Sequence, residues 1–213
     1  PRQFNALSSA MLAALQAELE RIGGDASVRV VILAAAGKAF CAGHDLKEMR
    51  SHPEQAFQQT LFEQCSEMML TINRIPQPVI ARGHGLATAA GCQLVAACDL
   101  AVAAESARFA TPGVRIGLFC STPMVEVARA VGRARASLML FTGDPIDAAT
   151  AAEWGLVARV VPDAALDAAA AALAARVATA ARATLATGKR AVAENLDLPL
   201  AEAYDHASGV MCA

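Results

Sequence analysis

Three things are missing from this chain, and each absence removes a class of function. There is no uninterrupted apolar run. The hydrophobic share is 55%, but alanine swells it, aromatics make up only 4%, and charge repeatedly breaks the longest apolar stretches. No segment approaches the roughly 20 residues of a membrane helix, so no membrane is expected as a partner. There is also no block of one charge: 18 Lys and Arg stand against 20 Asp and Glu, for a formal net charge of -2. The basic residues are scattered, which leaves no face to attract a phosphate polymer, and nucleic acid is not expected either. Finally, there is no Cys-x-x-Cys pair. The six cysteines, at 41, 65, 92, 98, 120 and 212, lack the dense spacing of a secreted scaffold and read as free thiols in a reducing compartment. The opening PRQFNALSSAM carries no basic-then-apolar signal and no initiating methionine, so residues ahead of it are expected.

What is present alternates between strand and helix patterns over 213 residues, enough for one large domain or a domain with a small appendage. Ser8 or Ser9 can cap a helix to about Ile22, stopped by Gly23-Gly24. A strand is predicted over Val28 to Ala35. Asp45 with Glu48 has the pattern of a capping pair for a short helix, and Ser51, Pro53 and Glu54 open a longer one to about Ile75. Strands follow at Pro78 to Ala81 and in DLAVAA, separated by the small-residue turn and helix of GHGLATAAGCQL. Helices are predicted over Ser121 to Ala130, Arg133 to Phe141 and Ala148 to Trp154, with a strand over Leu156 to Val161 and alanine-rich helices over the last fifty residues. The alternation argues for an α/β fold.

Two loops carry the chemical signal, Ala42-Gly43-His44 and Ala89-Ala90-Gly91, each following a strand and each opening a helix. Free backbone N–H groups at such turns form fixed donors, and small residues let a ligand oxygen come close. If the fold brings the loops together, one N–H from each would hold a single carbonyl oxygen and stabilise negative charge developing on it.

The segments NALS (5–8), VRVVIL (28–33), GKAFCAGHDLKEM (37–49), PVIARGHGLATAAGCQLVAACDLAVA (78–103), RFATPGVRIGL (108–118) and ARAVGRARASLMLFTGDPIDAATAAEWGLVARVVP (128–162) resemble the enoyl-CoA hydratase/isomerase, or crotonase, family, in order and across nearly the whole chain. The resemblance implies the crotonase spiral, related to the ClpP-like folds: ββα units over 1–162 and a helical trimerisation region over 163–213. It also implies a homotrimer or a dimer of trimers. A further family helix is expected beyond Ala213. By the same resemblance the amides of His44 and Ala90 form the oxyanion hole for an acyl-CoA carbonyl. Lys38, Ala39, Phe40, Ala42, Asp45, Leu46 and Lys47 would lie along the CoA channel. No cofactor is implied, the CoA thioester being the substrate. The expected compartment is the cytoplasm for a bacterial chain and the mitochondrial matrix for a eukaryotic one.

The chain departs from the family where a hydratase places its two carboxylates, since those positions fall on Gln93 and Gly113. Neither can move a proton. If each carboxylate contributes the ~10²–10⁴ typical of acid–base catalysis, hydration should be poor. Chemistry that an oxyanion hole supports almost alone is left open, namely decarboxylation, thioester hydrolysis or weak isomerisation, alongside simple acyl-CoA binding without turnover. Cys120, in GLFCSTP beside Ser121 and Thr122, is a candidate nucleophile or a small buried filler. The His44 ring is a candidate proton carrier or a structural group. His52, His84 and His206 show no metal spacing.

Overall fold

Ser8 starts the first helix with extended backbone, and its hydroxyl accepts the Met11 N–H, so α1 runs Ser9–Gly24. The computed structural model describes residues 3–212, so residues 1, 2 and 213 of the two expected regions lie outside the described residues. Strand β1, Val31–Ala34, is shorter than expected. Its predicted first residue instead closes a turn, with Val28 N–H donating to Asp25 O.

Asp45 caps α2, Leu46–Ser51, by accepting the Lys47 and Glu48 N–H groups. The reciprocal half of the capping pair is redirected: the Glu48 carboxylate takes the Ser9 N–H at 2.9 Å and ties α2 to α1. Helix α3 spans Gln55–Arg74 with Glu54 at its N-cap and no side-chain cap, while Ser51 ends α2 rather than opening α3. Then come β2 (Val79–Gly83), β3 (Leu86–Thr88), α4 (Ala90–Ala96), β4 (Leu100–Ala104) and β5 (Arg108–Ala110). A 3₁₀ turn, Pro112–Ile116, leads to α5 (Ser121–Val131) and α6 (Arg133–Thr142). Next are β6 (Ile146–Asp147), α7 (Ala148–Trp154) and β7 (Arg159–Val161), then α8 (Leu166–Val177), α9 (Arg182–Asn195) and α10 (Leu200–Met211).

Four of the strands form one parallel sheet in the order β1-β2-β4-β7, with Val31 opposite Val79, Ile80 opposite Leu100 and Val102 opposite Arg159. Both of its faces are covered. The main core lies on one side, and on the other α8 seats Leu166 against Ile80, Val102 and Ala104. The second sheet, β3-β5-β6, is parallel between β3 and β5 and antiparallel between β5 and β6. Periodicity could not find its strands, because two or three residues are too few to show an alternation. They are held by pairing, Leu86 with Arg108 and Phe109 with Ile146.

From α9, Lys189 reaches into the core, donating to Ile72 O and Gln77 O and pairing with Asp99 at 2.8 Å. Asp99 in turn accepts the Val79 N–H, so the tail helix is anchored to the edge of β2. Among the described residues no single helix is long and apolar enough to cross a membrane.

Candidate active site

The loop after β1 and the turn before α4 meet. Cys41 N–H donates to Leu86 O, Thr88 N–H donates to Cys41 O, and the two segments form a short parallel bridge at Cys41 and Ala87. Approach is so close that a Cβ built on Gly91 would lie 2.2 Å from Cys41 O. Gly43 adopts φ +85, and a Cβ there would lie 3.0 Å from Ala89 Cβ and 3.3 Å from Ala90 N. Only glycine fits at either position. The chain opposite is strained as well: Ala89 sits at φ 51, where a side chain is unfavourable, and so delivers Ala90 as the first residue of α4.

At that junction His44 and Ala90 both line a cavity of about 400 Å³. Among the described residues neither backbone N–H donates to a protein acceptor. The N-terminal strap fixes the first of them. Leu7 N–H donates to Gly43 O, Asp45 N–H to Leu7 O, and Ala42 N–H to Phe4 O, while the Asn5 side chain donates to Ala36 O and Ala39 O, both at 2.8 Å. His84 closes the far end of the loop through its Nε2 and Gly37 O.

The residues expected along a CoA channel divide into two groups. Ala42 and Leu46 line the cavity. Asp45 is occupied as a helix cap, Ala39 and Phe40 are buried, and Lys38 and Lys47 are exposed. Phe40 faces a separate small cavity between α1 and β1. Lys47 borders a shallow hollow beside Phe4 and Ala6.

Gln93 lies on α4, 3% exposed and outside the cavity lining, with its Oε1 buried and without a hydrogen-bond partner among the described residues. Gly113 does line the cavity, and Cys120 fills the space that a side chain there would need. A Cβ on Gly113 would sit 2.9 Å from Cys120 Sγ and 3.1 Å from Leu118 O. Cys120 is 8% exposed, and burial pushes its thiol above the ordinary range, which disfavours the thiolate at neutral pH. The His44 ring packs edge-on against Phe62, with centroids 5.3 Å apart and both nitrogens buried and unpartnered. Burial holds its pKa below the ordinary value, with the Leu7 backbone and then nearby Glu48 opposing. Among the described residues no three His, Cys, Asp or Glu are grouped to hold a metal ion.

Sequence reasoning singled out Gly113 and Cys120 on the cavity's opposite wall but passed over its apolar members. Ile116 ends the 3₁₀ turn, Leu118 and Phe119 sit on the irregular loop after it, and Met49 and Phe62 come from α2 and α3, where helical spacing marks them only as apolar. Arg115, also on the wall, is held by Asp144 across the loop.

The fold and the sequence have counterparts among known proteins. A family model described as enoyl-CoA hydratase/isomerase matches residues 1–211. The chain belongs to the enoyl-CoA hydratase/isomerase family. The rat protein named enoyl-CoA hydratase domain-containing protein 3, mitochondrial, is 45% identical over 211 residues, covering 99% of this chain and 70% of the relative. The crystal structure of enoyl-CoA hydratase from Mycobacterium smegmatis is 51% identical with a TM-score of 0.97, over 100% of this chain and 82% of that one. The human enoyl-CoA hydratase domain-containing protein 3 structure is 44% identical with a TM-score of 0.96, over 100% and 84%. The fold is therefore the crotonase spiral with its helical C-terminal region. This chain carries no carboxylate at 93 or 113, where it has glutamine and glycine.

Proposed function

We propose that this chain binds an acyl-CoA thioester, rests the carbonyl oxygen on the amides of His44 and Ala90, and stabilises the enolate that forms there. The observation that carries this reading is the meeting of two amide-bearing loops at the head of an apolar cavity, with neither N–H spent on the protein. Preorganised donors of this kind act where charge develops, and one such donor is typically worth ~10²–10³ in rate.

Hydration requires a group to place and deprotonate water and another to return a proton. Gln93 has no usable pKa, and Gly113 offers no side chain and has Cys120 in its place. Decarboxylation of a CoA ester carrying a second carboxylate on its α-carbon suits what remains. The bond from that carbon to the carboxylate breaks, carbon dioxide leaves, and the bonding pair becomes the thioester enolate held by the two amides. Water then returns a proton to the carbon. Cys120 acts as packing and not as a nucleophile, because burial raises its pKa and the Gly113 backbone opposes that only in part.

A panel of enoyl-, malonyl-, methylmalonyl- and saturated acyl-CoA esters, with products followed by mass spectrometry, tests this reading. Release of carbon dioxide from the malonyl-type esters with slow loss of enoyl absorbance supports it. Rapid hydration of crotonyl-CoA would overturn the account of positions 93 and 113. Binding of esters with no turnover would make the chain a CoA-ester binder, and failure to bind any of them would remove the whole reading.

We also propose that the chain assembles as a homotrimer or a pair of trimers. The helices α9 and α10 bury no residue fully, and Leu196, Leu200 and Tyr204 are 79%, 76% and 69% exposed, a clustering of apolar surface that suits assembly. Sedimentation analysis distinguishes trimer, hexamer and monomer.

A further inference from the structure

We infer that His84 is a positioning residue for the amide loop 37–44, and that it holds this loop in a single form, the neutral imidazole with its hydrogen on Nε2. The consequence for ligand binding rests on the acyl-CoA reading above.

Both ring nitrogens of His84 face partners of fixed character. Nε2 lies 2.9 Å from Gly37 O. A carbonyl only accepts, so Nε2 carries the hydrogen. Nδ1 lies 3.3 Å from Arg82 Nη1. A guanidinium only donates, so Nδ1 keeps its lone pair. The other tautomer would aim an N–H at the guanidinium and a lone pair at the carbonyl. Arg82 is oriented in its turn, since it stands on β2 and its Nε donates to the Asp167 carboxylate on α8. A chain of contacts therefore runs from α8 through Arg82 and His84 to the start of the amide loop.

The loop depends on such ties. Gly37 adopts φ 91, and a Cβ on Gly85, the residue after His84, would collide with Lys38 O. Across the loop Asn5 Nδ2 donates to Ala36 O and Ala39 O. Among the described residues only His84 donates to Gly37 O. In a trans peptide the carbonyl of one residue and the N–H of the next point in opposite directions. Asn5 thus aims the Gly37 N–H, and His84 aims the Lys38 N–H. Among the described residues neither N–H donates to a protein acceptor, so both are left for a ligand. Without the His84 tie the 37–38 peptide plane is free to turn, and the donor it presents is lost.

Two measurements on the full chain test the inference. Long-range proton–nitrogen correlation spectra of histidine-labelled protein at about pH 7.5 read the tautomer, the His84 signals being those that disappear in His84→Gln. A hydrogen on Nε2 is expected, and the Nδ1–H form overturns the inference. Calorimetric titration with butyryl-CoA reads the positioning. His84→Leu, which neither donates nor accepts, should weaken binding roughly three- to tenfold. His84→Gln, whose amide nitrogen donates and whose amide oxygen accepts, should stay within about twofold of the native chain. Circular dichroism checks that both variants fold, and the tautomer decides the matter even where the leucine variant does not. Native affinity in His84→Leu, or equal losses in both variants, overturns the inference while leaving the acyl-CoA reading intact. Failure of the native chain to bind any CoA ester overturns both.

Discussion

On one side of the cavity the chain is held by its own backbone, and on the other by apolar side chains that leave much of their surface in water. The amide wall, residues 37–46 and 85–91, is stitched by main-chain hydrogen bonds to β3 and the N-terminal strap, and its glycines stand where a methyl group would strike a carbonyl. The facing wall, residues 112–123, leaves Val114, Ile116, Leu118 and Phe119 between 42% and 60% exposed. Two N–H groups aimed at one oxygen, as proposed, would tolerate no play, whereas an apolar surface needs only shape. Gly113 and Cys120 lie in the second wall, and Gln93 lies behind the first.

Five substitutions, in three comparisons, measure how unequal the walls are. Gly91→Ala should cost the most, about 3 kcal/mol, because its Cβ would press on the Cys41 carbonyl. Gly117→Ala is its counterpart across the cavity, with φ +78 but nothing within 4 Å, and should cost about 1 kcal/mol of backbone strain alone. Urea denaturation of both variants checks this, and equal losses would erase the contrast. Next, Asn5→Gly removes the two hydrogen bonds to Ala36 O and Ala39 O while tolerating the local φ of 55. It should cost about 2 kcal/mol and weaken acyl-CoA binding, because the loop it steadies carries the His44 amide. Smaller still is a coupling of about 1 kcal/mol between Gly113→Ala and Cys120→Ala. The sulfur that a new Cβ meets at 2.9 Å is gone in the double variant, so a strictly additive cycle would deny that Cys120 occupies that space.

The same division explains what the sequence disclosed. The helices α1, α5, α6 and α7 carry enough turns of periodic apolar residues, with serine, aspartate or glycine at their ends, to be legible within a residue or two. The two small-residue loops were expected to come together, and the structure does join them at Cys41 and Ala87. The strands β3, β5 and β6 were not legible, because two or three residues carry no pattern and their pairing is set by residues some twenty to forty positions away. Nor was the second wall. Met49, Phe62, Ile116 and Leu118 read as ordinary apolar positions on three separate segments, and only the tertiary fold brings them to one surface. Glu48 shows a subtler failure, since the local pattern assigns its carboxylate to its own helix while the folded chain spends it on Ser9.

The weakest expected effect concerns His44, where the two walls touch through its ring and Phe62. The ordinary imidazole value is 6.5, and burial lowers it in the folded chain. The folded state therefore keeps the ring neutral at a pH where the unfolded chain takes up a proton. Stability from this group is complete above about pH 6.5 and falls as the pH drops through that value toward the depressed folded pKa. The Leu7 backbone and the carboxylate of Glu48 oppose the shift, and Asp45 is committed to capping α2. Denaturation midpoints of the native chain and of His44→Gln, compared at about pH 7.5 and about pH 5.5, isolate the contribution. The native chain should lose more stability on acidification than the variant, which has no ring to protonate on unfolding. Parallel losses would mean that the imidazole is solvated in the folded state, and that the contact between the two walls is looser than its edge-on packing implies.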